Sequence, residues 1–162
     1  CTILEIGAVI TDKDLNIIAE GPAISIHHSD RVLASMEPWS RHHHKKSGLT
    51  EECRASRISL RKAEYQVLKF IREHCREKTA PLCGNTIHTD RHFLRVQMKS
   101  VHEYLFYRSI DVSSIKELAR RWAPAFYEEA ERRKGVKPHR AKGDIINSIE
   151  ELRYYRDNFF KI

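Results

Sequence analysis

At 162 residues, with 41% hydrophobic and 31% charged content, the chain has the size and make-up of one globular domain with a real core. No apolar run approaches the roughly 18 residues of a membrane span, and no basic segment leads into a short apolar one as in a secretory leader, so neither a membrane-spanning nor a freshly secreted class is expected. The formal net charge of +7 favours a polyanionic partner; an inert basic surface is the equal alternative from charge alone. Four cysteines, Cys1, Cys53, Cys75 and Cys83, form no CxxC pair and read as free thiols in a reducing compartment. A chain that opens on Cys1 and runs at once into an apolar stretch reads as a sequence entered partway through.

Thr2–Ile10 is apolar and β-branched, a buried strand. Asp12–Asn16 is a polar turn, and Asn16–Ile26 is a second strand with a bulge or bend at Gly21-Pro22, so the two pair as a hairpin. Short helical pieces follow at Arg31–Met36 and before Ser47-Gly48. Leu60–Glu73 is a longer helix, with Leu60, Ala63, Val67, Leu68 and Ile71 at helical spacing and Ser59 as its cap. Pro81–Gly84 is a short strand, and Asp90–Lys99 a helix with Phe93, Leu94 and Met98 inward. Ser109–Val112 is a further short strand. Ser114 and Glu117 have capping-box spacing for a helix through Trp122, with Ile115, Leu118, Ala119 and Trp122 as its apolar face. Ala123–Pro138 reads as a loop around at most one short helix. The last helix, from about Arg140 to Phe159, has Ile145, Ile149, Leu152 and Tyr155 as its stripe. Strands alternating with helices after an initial hairpin imply an α/β domain with a central mixed sheet flanked by helices.

Two segments have chemical content. His139, Ala141 and Asp144 form an H-x-A-x-x-D pattern at the start of the last helix. A carboxylate for a divalent cation beside an imidazole that can take a proton from water is a hydrolytic pair. Alone, the pattern is equally a loop histidine and a first-turn aspartate favoured by the helix dipole. Leu82 to Asp90 then reads strand, glycine turn, helix start, placing Asp90 where α/β proteins put ligands. Helix capping is the bland alternative there. His27, His28, His42, His43 and His88 are read as solvated.

These segments, together with the opening ILEIGAVITD, resemble the DEDDh exonucleases, and within them oligoribonuclease. The resemblance is closest at Asp14–Pro22, Trp39 to Leu49, Tyr107-Arg108 running into Asp111–Trp122, and Glu151–Phe160. It implies a ribonuclease-H-like fold in a single exonuclease domain over residues 1–162. The implied activity is 3′-to-5′ hydrolysis of short RNA, chiefly dinucleotides, to 5′-mononucleotides. It further implies two Mg²⁺ or Mn²⁺ ions about 4 Å apart, with Asp90 and Asp144 as ligands and His139 as the base. Trp39 and Tyr107 would stack on bases. His44, Thr86, Arg108 and Ser113 would gather around a 5′ phosphate, and Tyr107 and Arg108 would act across a homodimer interface. Thr86 stands where bacterial relatives have serine, and the hydroxyl is retained.

The family's D-x-E, which supplies the other two acidic ligands, is not found ahead of this strand and is expected upstream of Cys1. Glu5 matches a different family position. A catalytically inactive nucleic-acid-binding fragment of the same fold, and a structural interaction domain without a ligand, are the competing readings. The expected compartment is the cytoplasm, or the mitochondrion if a targeting segment lies upstream.

Overall fold

A computed structural model describes residues 2–133 and 140–160. The chain begins as a hairpin in two halves. β1 (Glu5–Ile6) pairs antiparallel with β4 (Ile24–Ser25), and β2 (Val9–Thr11) with β3 (Ile17–Glu20). Between Ile6↔Ile24 and Val9↔Glu20 one strand advances three residues and the other four. This is the bulge expected at Gly21-Pro22. Gly21 N–H still reaches Ala8 O at 2.8 Å, and a Cβ at Gly21 would lie 2.8 Å from the Phe70 ring. The hairpin turn is held by Asp12, whose Oδ1 accepts from the backbone of Asp14 and Asn16, both at 2.9 Å.

Three helices follow: α1 (Asp30–Ala34), α2 (Pro38–Lys46) and α3 (Leu49–Ala55). α1 and α3 close a small core of Leu33, Leu49 and Cys53, against which Leu4 and Met36 pack. Burial pushes the Cys53 thiol up to about 11, so it stays protonated and inert. His28, expected in solvent, is partly buried, with Nε2 2.8 Å from Ile3 O. α4 (Leu60–His74) is capped as expected by Ser59, whose Oγ accepts from Lys62 N at 3.3 Å. It buries Ala63, Val67, Leu68 and Ile71 against Ile24 and Ile26 of the hairpin and against Leu94, Met98 and Val101.

β5 (Leu82–Gly84) pairs in parallel with β6 (Ser109–Asp111), and α5 (Ile87–Gln97) and α6 (Lys99–Tyr104) form the crossover. α7 (Val112–Trp122) starts earlier than its capping-box spacing predicts. Asp111, not Ser114, is the cap, because its Oδ1 already accepts from Ser113 N at 3.0 Å. Glu117 turns instead to Arg120 and Arg121. Val112 and Ala119 are buried, but Leu118 is 37% and Trp122 70% exposed. The helix ends at Trp122, and the chain turns there into α8 (Pro124–Arg133), with proline at a helix start where its missing N–H costs nothing. The one short helix allowed within the predicted loop is ten residues long, and residues 134–138 of that segment lie outside those described. α9 (Ala141–Asn158) buries Tyr155 against Ala119 and Ala130. The result is an α/β domain with both antiparallel and parallel strand pairs. No helix among the described residues is long and apolar enough to cross a membrane.

Candidate active site

Asp90 and Asp144 occupy the first turns of α5 and α9, where the helix dipole favours a carboxylate. Both helices pack on β5. The turn from β5 into α5 is tight: Thr86 sits in the left-handed region, at φ 53°, a conformation that costs a β-branched residue free energy and persists only when its surroundings enforce it. Here Thr86 N–H is held by Asp111 Oδ1 at 3.0 Å and Ser113 Oγ at 2.9 Å. His139 lies outside the described residues.

Asn85 joins these pieces. Its Oδ1 accepts from Ser113 Oγ at 3.0 Å, and its Nδ2 donates to Ser148 Oγ and to Glu151 Oε2, each at 3.0 Å. Ser148 Oγ in turn donates to Asp144 O at 2.9 Å. One amide therefore ties the turn preceding Asp90 to α7 and to the helical turn bearing Asp144. Glu151 is buried and meets Lys116 Nζ at 3.4 Å. Thr86 and Ser113 are brought together as the resemblance implies, with their hydroxyl oxygens 3.3 Å apart. Ser113 has one hydroxyl hydrogen and gives it to Asn85, so here it braces the turn.

The start of α9 is anchored separately. Arg140 donates to Glu5 through Nε at 3.1 Å and Nη2 at 2.8 Å, and to Glu52 through Nη1 at 2.8 Å and Nη2 at 2.7 Å. Glu5 also accepts from Ala141 N at 2.9 Å, satisfying a backbone donor at the helix start. Glu5 is thus a structural anchor. The Arg140 guanidinium and the Ser25 hydroxyl hold the Glu52 carboxyl below its ordinary value.

Trp39 and His44 lie on α2. Trp39 is 63% exposed and stacks on His43 with centroids 4.0 Å apart. Tyr107 and Arg108 lie between α6 and β6. Tyr107 is 73% exposed, and Arg108 Nε donates to its hydroxyl at 2.9 Å. The Arg108 guanidinium is turned to Tyr107.

An exonuclease family model, RNase T, matches residues 2–152. Over 160 residues the chain is 49% identical to the oligoribonuclease of Shewanella loihica, covering 99% of this chain and 87% of that one. It is 52% identical over 159 residues to a probable oligoribonuclease of Dictyostelium discoideum, covering 98% and 82% respectively. Against the human mitochondrial oligoribonuclease it is 47% identical over 159 residues, covering 98% and 66%. The chain belongs to the oligoribonuclease family of exonucleases. In this oligoribonuclease-family chain the donors in question, Asp90 and Asp144, are hard oxygens of the kind that suit Mg²⁺ or Mn²⁺. Partial desolvation pushes the Asp90 carboxyl above its ordinary value, against the opposing pull first of its own backbone N–H and then of His88. An anion so placed gains from a nearby cation. Among the described residues, no three or more His, Cys, Asp or Glu side chains gather to hold a metal. Two oxygen donors of suitable chemistry are present among the described residues, each in the first turn of its helix.

Sequence patterns point to Asp90 and Asp144 but give no role to Asn85 or Glu151, nor to Glu5 as the partner of Arg140. Asn85 lies directly after Gly84 in the Leu82–Asp90 strand-turn segment, so it carries a local signal. Glu151 is a single charged residue buried on a long helix, and Glu5 is separated from Arg140 by most of the chain. Neither leaves a local signal.

Proposed function

We propose that this chain is a metal-dependent 3′-to-5′ exoribonuclease that hydrolyses short oligoribonucleotides, dinucleotides above all, to 5′-mononucleotides. Family membership across residues 2–152 is the observation that supports this best. The link from Asn85 through Ser148 to the Asp144 turn is consistent with it. Asp90 and Asp144, with the two carboxylates of a D-x-E, would hold two Mg²⁺ or Mn²⁺ ions, which when bound supply a nucleophilic water and stabilise the leaving oxygen. His139 takes the proton from water as its oxygen attacks phosphorus. The bond to the 3′ oxygen breaks, that oxygen gains a proton, and the released nucleotide keeps the 5′ phosphate. Trp39 and Tyr107 stack on the bases. Arg108, His44, Thr86 and Ser113 receive the 5′ phosphate of the shortest substrates, with Ser113 exchanging its bond to Asn85 for one to phosphate. In a homodimer, Tyr107 and Arg108 complete the partner's site.

The test uses the full-length protein and a 5′-phosphorylated ribodinucleotide. Turnover should require Mg²⁺ or Mn²⁺ and stop with EDTA. A 3′-blocked trinucleotide should resist. His139→Ala should lower the rate by about 10²–10⁴. Activity in EDTA, or His139→Ala at the wild-type rate, defeats the mechanism. Binding without turnover favours a nucleic-acid-binding domain instead.

A further inference from the structure

Arg91 follows Asp90 on α5 but points away from it in function. Its Nη2 donates to Phe106 O and to Arg108 O, both at 2.8 Å, so one nitrogen bridges the two carbonyls that flank Tyr107. Its Nη2 and Nε also lie 3.1 and 3.3 Å from Ser109 Oγ. Among the described residues this guanidinium pairs with no carboxylate. It is partly desolvated, which by itself disfavours the charge, and its donors go to carbonyls instead. Charge-assisted bonds of this kind are the strong ones.

The segment it grips is otherwise thinly held. Phe106 N–H reaches Ala80 O at 2.9 Å, and pairing resumes only at Ser109. Between those points Tyr107 stands 73% exposed. An exposed aromatic side chain on a short connection has many accessible orientations, and the bridge across its two neighbours removes much of that freedom. The Arg108 guanidinium lies over the Tyr107 ring at 5.3 Å, so the two side chains are presented together.

We infer that Arg91 is a positioning residue: it fixes the backbone on either side of Tyr107 and so sets the Tyr107–Arg108 pair for the base and 5′ phosphate of the substrate. This rests on the reading of that pair as substrate-binding. The same helical turn would then present Asp90 to an ion through one residue and set the stacking tyrosine through the next.

The test is a mutant cycle on the full-length protein, read as kcat and KM for a 5′-phosphorylated ribodinucleotide, with thermal melts as a folding control. Arg91→Ala should lower kcat/KM by about 10- to 100-fold, the scale for a displaced positioning group, mainly through KM. Arg91→Lys keeps the charge beside Asp90 but lacks the planar fork that bridges two carbonyls. It should fall nearly as far, and it decides the matter if the alanine variant does not fold. In a Tyr107→Ala, Arg108→Ala background, adding Arg91→Ala should change kcat/KM less than about twofold, because the group through which Arg91 acts is gone. Recovery by lysine, a full multiplicative loss in that background, or wild-type kinetics for Arg91→Ala would each overturn the inference while leaving the function standing. If Tyr107→Ala, Arg108→Ala itself behaves as wild type, the reading of the pair falls, and this inference falls with it.

Discussion

Removing the Arg140 side chain should cost more stability than any surface substitution of this chain. Glu5 is nearly buried, its side chain 7% exposed, and Arg140 is 28% exposed. Arg140→Ala deletes all three guanidinium bonds to Glu5 and both to Glu52. Glu52, about half exposed, can rehydrate; Glu5 keeps its bond from Ala141 N but loses its counter-charge. Breaking a buried pair from one side costs about 3–5 kcal/mol. The surviving backbone bond puts this case near 3 kcal/mol on that scale. With a urea slope of roughly 2 kcal/mol per molar for a chain of this size, the unfolding midpoint should fall by about 1.5 M. Glu5→Gln combined with Arg140→Met should recover most of that, since a neutral pair leaves no stranded charge. Urea unfolding followed by circular dichroism, with both single variants and the double, measures each leg. A loss for Arg140→Ala under about 1 kcal/mol, or a double variant no better than the single, would show that Glu5 does not depend on this partner.

The same cycle has a pH signature. The Glu52 carboxyl is held below its ordinary 4.5 in the folded chain, first by Arg140 and then by Ser25, so its contribution is present above pH 4.5 and lost as pH falls below it; the gap between wild type and Arg140→Ala should narrow from pH 5 to pH 3, and an unchanged gap would refute the assignment. Asn85→Asp places a carboxylate against buried Glu151 and should cost more in thermal stability than Asn85→Ala, itself about 1–3 kcal/mol, despite being nearly isosteric; equal melts would mean that the amide donates elsewhere. Gly21→Ala forces a methyl to within 2.9 Å of Ala8 O as well as onto Phe70 and should cost about 1–3 kcal/mol, with Phe70→Leu relieving only the ring contact, as thermal melts of both variants would show. Mixing Asp144→Asn chains with Tyr107→Ala chains should restore about a quarter of wild-type turnover if Tyr107 acts across a twofold dimer; no recovery after verified exchange refutes the shared site.

Periodicity exposed the elements whose burial repeats locally. α4 has one wide apolar stripe and its Ser59 cap, and both were legible. The bulge at Gly21-Pro22 was legible because proline and glycine announce it in the chain itself. The start of α7 was not, since two candidate caps compete there and Asp111 prevails through a second bond to Thr86, 25 residues away. α8, allowed only as a short helix within a loop, lacks an apolar stripe: Glu129 pairs with Arg132 and Arg133, and Ala130 is its buried residue. At the candidate site the charged groups showed as motifs. Glu151 and Arg91 make their contacts through hydrogen bonds between distant segments, which no spacing encodes.

Gly7 lies under the first turn of α9. A Cβ there would meet Ile145 Cδ1 at 3.4 Å and Ala141 Cβ at 3.6 Å, so alanine fits at ordinary contact and anything larger does not. The height of that turn above the hairpin is therefore gauged to about one methyl group. Asp144 rides on the same turn, so the reach of its carboxylate is calibrated by a residue that makes no chemical contact with it. A saturation library at position 7, sorted once for folding and once for turnover, should separate the two requirements. Branched side chains that lift the helix by a fraction of an ångström would pass the first sort and fail the second.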